Sequence, residues 1–154
     1  MEQIKIHLKN NEDYKNTYNE DILSYDLSNY ILDELKGKSK KTKIVFVVSS
    51  DFEMTDEDKN ELIFMIRNSF GADISETLYL ARKQRISNYF ILLIGILFIL
   101  LYTLLDFNFL EEFVLIFGWV FLGEAICNFL YKEIENRYTI TRRKQIVNAK
   151  VIFE

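Results

Sequence analysis

Two apolar runs decide what this chain can become. Residues 89–105 contain no charged side chain, and residues 113–131 contain one, Glu124. A helix rises about 1.5 Å per residue, so about 20 apolar residues cross a hydrocarbon core about 30 Å thick. Inside a soluble protein, helices of this kind would be apolar on every face and would need cover on every face. We therefore read them as two transmembrane helices, one within residues 86–109 and one within residues 110–131. The link at 106–112 carries Asp106, Glu111 and Glu112 with no base, and is too short for anything but a tight turn.

The flanking charges give the orientation. Arg82, Lys83 and Arg85 precede the first run, and Lys132, Arg137, Arg142, Arg143 and Lys144 follow the second. Basic residues next to membrane spans stay in the cytoplasm. Both termini are thus expected in the cytoplasm and the acidic turn outside, in a multi-pass protein of the inner (cytoplasmic) membrane. Residues 1–8 alternate polar and apolar side chains and hold no apolar signal core. No cleavable signal peptide is expected, and the first run acts as the insertion signal. Richness in Ile, Asn and Lys suits a low-GC bacterium.

Outside the runs the chain reads as an acidic soluble domain, with ten Lys/Arg against sixteen Asp/Glu in residues 1–80. The absence of proline and the single cysteine among 154 residues exclude collagen-like, proline-rich and disulfide-framework folds. Ile4, Ile6 and Leu8 alternate with Lys5, His7 and Lys9, the period of an edge strand buried on one face. Residues 10–21, rich in Asn and Asp, read as a loop. Leu23, Leu27, Tyr30, Ile31 and Leu35 recur at helical spacing, and Gly37 supplies the stop.

Residues 44–48 are five consecutive apolar side chains, mostly β-branched, which suit a central strand. Thr55 followed by Asp56, Glu57 and Asp58 is a helix N-cap with acids facing the helix dipole. That helix buries Leu62, Ile63, Ile66 and Phe70 and is expected to close at Gly71, with a short strand or turn over 74–80. After the second run the helix continues through Ile134 and Tyr138. Val147, Ala149, Val151 and Phe153 then alternate with Asn148, Lys150 and Ile152 as a final strand. An isolated strand is not stable in water, so this one must join the N-terminal sheet. The expected fold is an α/β (α+β) cytoplasmic domain built from both chain ends, residues 1–80 and 132–154, interrupted by a two-helix transmembrane hairpin.

Candidate chemistry is sparse. Glu124 lies eight residues before Lys132, about 12 Å along the helix, and an ionisable side chain at membrane depth is a functional hypothesis by default. If the hairpin folds about residues 108–110, Glu124 is level with Gly95, and Gly118 and Gly123 flank it where small residues let helices approach. Asn128 follows one turn later. These residues read as a polar seam or pore lining, or as a protonated acid bonded within the hairpin. Arg82, Lys83, Arg85, Arg142, Arg143 and Lys144 could hold lipid headgroups or another anion, although topology alone accounts for them.

Asp51, Glu53 and Asp56 gather where open α/β sheets often bind ligands, yet their spacing fails the EF-hand pattern. Helix capping explains such acids, and no metal or cofactor is expected. His7, the one histidine, points from the polar side of an edge strand. Cys127 sits in the second run. No phosphate-binding loop or nucleophile elbow is present, and the acidic balance disfavours nucleic acid. The expected function is therefore non-enzymatic: a self-associating membrane protein whose cytoplasmic domain senses a small ligand or docks a protein partner. The alternative is a pore-forming or membrane-disrupting effector of a bacterial defence or stress system.

Overall fold

The computed structural model describes residues 2–19, 21–104 and 110–154. The elements are β1 (Glu2–Leu8), α1 (Tyr25–Glu34), β2 (Ile44–Ser50), α2 (Asp56–Tyr102), α3 (Leu110–Val147) and β3 (Lys150–Phe153). The chain divides into two compact units, one made of Met1–Glu76 with Thr139–Glu154 and the other of Thr77–Tyr138.

In the first unit the strands lie in the order β1-β2-β3, and both pairs are parallel. The chain's last strand thus joins the N-terminal sheet, with Val45 opposite Lys150 and Val48 opposite Phe153. Right-handed crossovers that step in one direction along a parallel sheet bring their helices to one face. The core agrees: Ile4, Ile6, Leu8, Ile44, Phe46 and Val48 pack with Leu27 and Ile31 of α1, Leu62, Met65, Ile66 and Phe70 of α2, and Ile146 of α3. Phe46 is wholly buried at its centre, and full burial of such a side chain is worth about 1.5–3 kcal/mol. Val45 and Val47 are also buried but lie outside that cluster, on the opposite face, where Val47 is in register with Lys5 and Ile152.

Local side-chain and backbone chemistry sets the helix ends, at Gly37 and Thr55 as read from the sequence and at Ser24 beyond it. Ser24 caps α1 by accepting from the Leu27 amide, and Gly37 beyond it takes the one positive glycine φ, +79°, where a side chain would be strained. Thr55 caps α2: its hydroxyl accepts from the Asp58 amide at 3.2 Å, while Asp58 accepts from the Thr55 amide and hydroxyl at 2.9 and 2.7 Å. These bonds hold the Asp58 carboxyl below its ordinary range.

Elsewhere the structure corrects the sequence reading. α2 does not close at Gly71 but runs on to Tyr102, and 74–80 is helix. A helical glycine costs only about 1 kcal/mol relative to alanine, which good helix formers on both sides outweigh. The apparent alternation of Leu78 and Leu80 is carried by exposed side chains. The final strand begins at Lys150, because Val147 is still the end of α3. Tyr30 is not a core residue; it is 43% exposed and donates its hydroxyl to the Lys5 carbonyl. The polar loop is anchored where nothing in its composition suggested it. Tyr14 is fully buried, donates to Asn11 Oδ1 at 2.7 Å and reaches Glu61 at 3.3 Å. Burial, and then the Glu61 carboxylate, push its phenol well above the usual value.

The second unit pairs the later part of α2 with the earlier part of α3. Ring and backbone contacts join Tyr89 to Phe129, Gly95 to Leu122, and Phe98 to Phe117, so the helices run antiparallel. Both helices are long and apolar enough to cross a membrane. The turn expected at 106–112 falls mainly on residues 105–109, which lie outside the described residues.

Candidate functional site

The seam between the helices shows how an almost uniformly apolar sequence chooses one face. Within the apolar run 113–131 the buried and half-buried positions of α3 are Val114, Leu115, Gly118, Phe121, Leu122, Ala125, Asn128 and Phe129, and α2 supplies Asn88, Ile91, Leu92, Gly95, Phe98 and Ile99. Their spacing alternates between three and four, the repeat of a coiled-coil seam. A Cβ on Gly95 would lie 2.9 Å from Leu122 Cγ and 3.0 Å from the Leu122 amide nitrogen, and one on Gly118 would lie 2.8 Å from Ile99 Cδ1. Both glycines are therefore points of close helix approach, as small residues are in membrane proteins.

The buried polar side chain inside this seam, among the described residues, is Asn88, which the sequence reading passed over. It is 5% exposed and donates its amide to the Ala125 carbonyl at 3.1 Å. A lone Asn at the edge of an apolar run carries no sequence signal that separates seam from surface. Next to it Gln84, Arg85, Asn128, Lys132 and Glu133 help to line a small cavity of about 20 Å³, the space one water needs. Arg85 donates to Glu133 at 2.8 Å, and Arg137 donates to the other oxygen of that carboxylate at 3.0 Å. The Arg85 bond, then the Arg137 bond, hold Glu133 below the usual carboxylate range.

Glu124 is placed differently from Gly95's partner position. It is exposed, and Leu122 occupies the place against Gly95. Two residues turn an α-helix by about 200°, so a residue level with Gly95 in height faces away from it. Gly123, with nothing within 4 Å of a Cβ, and Cys127 are outward too. Of the five seam candidates, the structure brings Gly95, Gly118 and Asn128 to the helix contact and leaves Gly123 and Glu124 on the outer surface.

The six proposed anion-binding bases also separate. Arg82 and Lys83 are exposed, while Arg85 serves Glu133. Arg143 donates to Asp73 at 2.9 Å. Arg142 is buried, donating to the Lys38 carbonyl and, at 3.1 Å, to Gln145 Oε1. Lys144 remains exposed on the last turn of α3.

At the carboxyl ends of β1 and β2 the acids disperse. Asp58 is taken by the cap, Asp56 pairs with Lys59 at 3.4 Å, and Asp51 lies 3.3 Å from His7 Nε2. Among the described residues, no three His, Cys, Asp or Glu side chains converge as a metal-binding group. His7 also meets the Ser49 hydroxyl through Nδ1 at 3.1 Å. This row follows from the β1-β2 register, which places His7 opposite Ser49 and could be found only once that pairing was known. The His7 and Asp51 side chains are 53% and 59% exposed, so the pair tethers two strand ends weakly.

The chain matches no known protein family, no curated protein and no solved structure.

Proposed function

We propose that this chain is a self-associating membrane anchor carrying an α/β unit that senses a ligand or docks a partner on the cytoplasmic face of the bacterial inner membrane, without catalysis of its own. The observation that carries this reading is that only 11% of the apolar stretch in each long helix is buried by the rest of the chain. A core helix of a soluble protein would be covered; these helices turn Leu, Ile and Phe outward, and lipid is the solvent that suits them. Tyr89 and Tyr131, 56% and 74% exposed, lie next to the basic flanks, where aromatic side chains favour the headgroup level. Because β1 and β3 share one sheet, the intervening pair must leave and return on the same side.

Self-association follows from Glu124. An acid at membrane depth costs roughly 2.5–3.5 kcal/mol on insertion scales, and Glu124 is exposed on the outer surface of α3. A second copy presenting the same face can cover it, since symmetric closure is the common solution for such a patch. The chain should resist alkaline carbonate extraction, and Asn108→Cys in a Cys127→Ala background should label from outside intact cells. Extraction into the soluble fraction would refute the anchor, and labelling confined to cysteines at positions 2 and 154 would refute its orientation. Native mass spectrometry in mild detergent should show an oligomer that survives Glu124→Gln and is weakened by Glu124→Leu. Dye release from vesicles on insertion would replace this reading with the pore-forming one.

A further inference from the structure

We infer that the α/β unit holds a binding site for clustered phosphate groups, in a groove between the α1–β2 loop, the end of α3 and the start of β3. The groove has a volume of about 560 Å³ and is lined by Lys40, Lys41, Lys43, Lys144 and Lys150 with no acidic side chain. That volume is within the range of small-molecule sites, roughly 300–1,000 Å³. The charge is unexpected on a chain whose first 80 residues carry six more acids than bases. Four other lysines of the unit have carboxylates: Lys15 has Glu61, Lys36 has Asp33, Lys38 has Glu34 and Lys59 has Asp56. Lys5 and Lys9 of the β1 edge, far from the groove in the chain, form no ion pair among the described residues and are not gathered with other lysines in it. Among the described residues, Lys41, Lys43, Lys144 and Lys150 have no carboxylate within ion-pair distance.

Like charges gathered without counter-charge raise the local potential and draw in a multivalent anion. Lysine ammonium groups bind phosphate oxygens as point charges through short, charge-assisted hydrogen bonds.

The groove is also built in advance. Gln145 Nε2 donates to the Ser39 and Thr42 carbonyls at 3.1 and 2.8 Å, and Arg142 reaches the Lys38 carbonyl. The lysine-bearing loop is thereby fixed to α3, and a site ordered before binding loses less entropy when it fills. Thr42, Thr141 and Asn148 complete the wall. The same reasoning separates this site from the arginines beside it, whose guanidinium groups are already committed to Asp73 and to the loop.

Clustered phosphate comes from a soluble polyphosphate ester or from anionic lipid headgroups, and one experiment separates the two. The full chain is placed in phosphatidylcholine nanodiscs and titrated calorimetrically with inorganic triphosphate at near-physiological salt, then again in nanodiscs containing phosphatidylglycerol. Lys41→Gln/Lys43→Gln/Lys150→Gln should weaken triphosphate binding by about tenfold or more. The equal charge change Lys5→Gln/Lys9→Gln/Lys59→Gln, away from the groove, should leave it within about twofold. Unchanged triphosphate affinity in phosphatidylglycerol assigns the site to soluble phosphates; a loss of affinity in the wild type assigns it to headgroups. Absence of binding in phosphatidylcholine discs, or equal losses in the two triple variants with unchanged circular dichroism, overturns the site. The groove lies wholly within the α/β unit, so the triphosphate titration reads the site itself, while the phosphatidylglycerol arm rests on the membrane anchoring that the extraction test decides.

Discussion

Adding one methyl group to each of three glycines tests the helix seam against the sequence, which treats all three alike. Gly95→Ala places its Cβ 2.9 Å from Leu122 Cγ and 3.0 Å from the Leu122 backbone nitrogen. A backbone atom cannot yield as a side-chain tip can, so α2 and α3 must separate locally. Overpacking of this kind costs about 1–3 kcal/mol, against a gain of up to about 1 kcal/mol for alanine in a helix. With the full helix gain the net expectation is a loss of up to about 2 kcal/mol. Gly118→Ala meets chiefly the Cδ1 and Cγ1 atoms of Ile99, at 2.8 and 3.1 Å, and rotation of that side chain brings the net change near zero. Gly123→Ala meets nothing within 4 Å and should be neutral or stabilising. The assay is reversible unfolding of the full chain in mixed detergent micelles, followed by the fluorescence of Trp119, the one tryptophan, and by helical circular dichroism. The expected order of stability is Gly123→Ala, then Gly118→Ala, then Gly95→Ala. If Gly95→Ala proves as stable as Gly123→Ala, the Gly95–Leu122 approach is not a close contact and the seam is wrongly drawn.

Three other perturbations follow from the α/β unit and the seam. Tyr14→Ala should lower stability by about 3–5 kcal/mol, as large-to-small changes of buried aromatics do; Tyr14→Phe should lose only about 1 kcal/mol, and denaturant titration that ranks the two equally would remove Tyr14 as the loop's anchor. Truncation after residue 144 removes Ile146 and Ala149 from the core, together with β3, whose Val151 and Phe153 pack against it, so the full chain and the truncated one, compared by limited proteolysis, should differ sharply in cleavage between residues 1 and 76. The Asp13 and Asp58 carboxyls are held below their ordinary range, Asp13 by the amides of Asn10 and Lys9 and Asp58 by Thr55. A depressed carboxylate contributes stability above its unfolded pKa of about 4 and loses it as pH falls through the folded value; Asp58→Asn should therefore flatten the acid limb of a thermal-melting series below about pH 4, and an unchanged limb would count against the capping role.

What the sequence determined by itself was whatever depends on neighbours along the chain. Seventeen uncharged residues, and nineteen with one acid, specify apolar helices without reference to any partner. Thr55 with Asp58 and Gly37 set their helix ends through bonds and dihedral angles spanning three residues. Alternation at Ile4, Ile6 and Leu8 fixed the face of β1, and the orphan apolar face at the chain's end required a return to the first sheet. The tertiary structure decided the rest. In a run where nearly every position is apolar, periodicity cannot say which face meets the other helix, because lipid and a neighbouring helix are equally acceptable to leucine. Shape made that choice at Gly95, Gly118 and Ala125, and the same rotation turned Glu124 outward and Asn88 inward. The pairing of His7 with Ser49, the burial of Tyr14 and the gathering of Lys41, Lys43, Lys144 and Lys150 bring together residues from segments far apart in the chain. Such meetings exist only after register and packing are fixed, so no local pattern announces them.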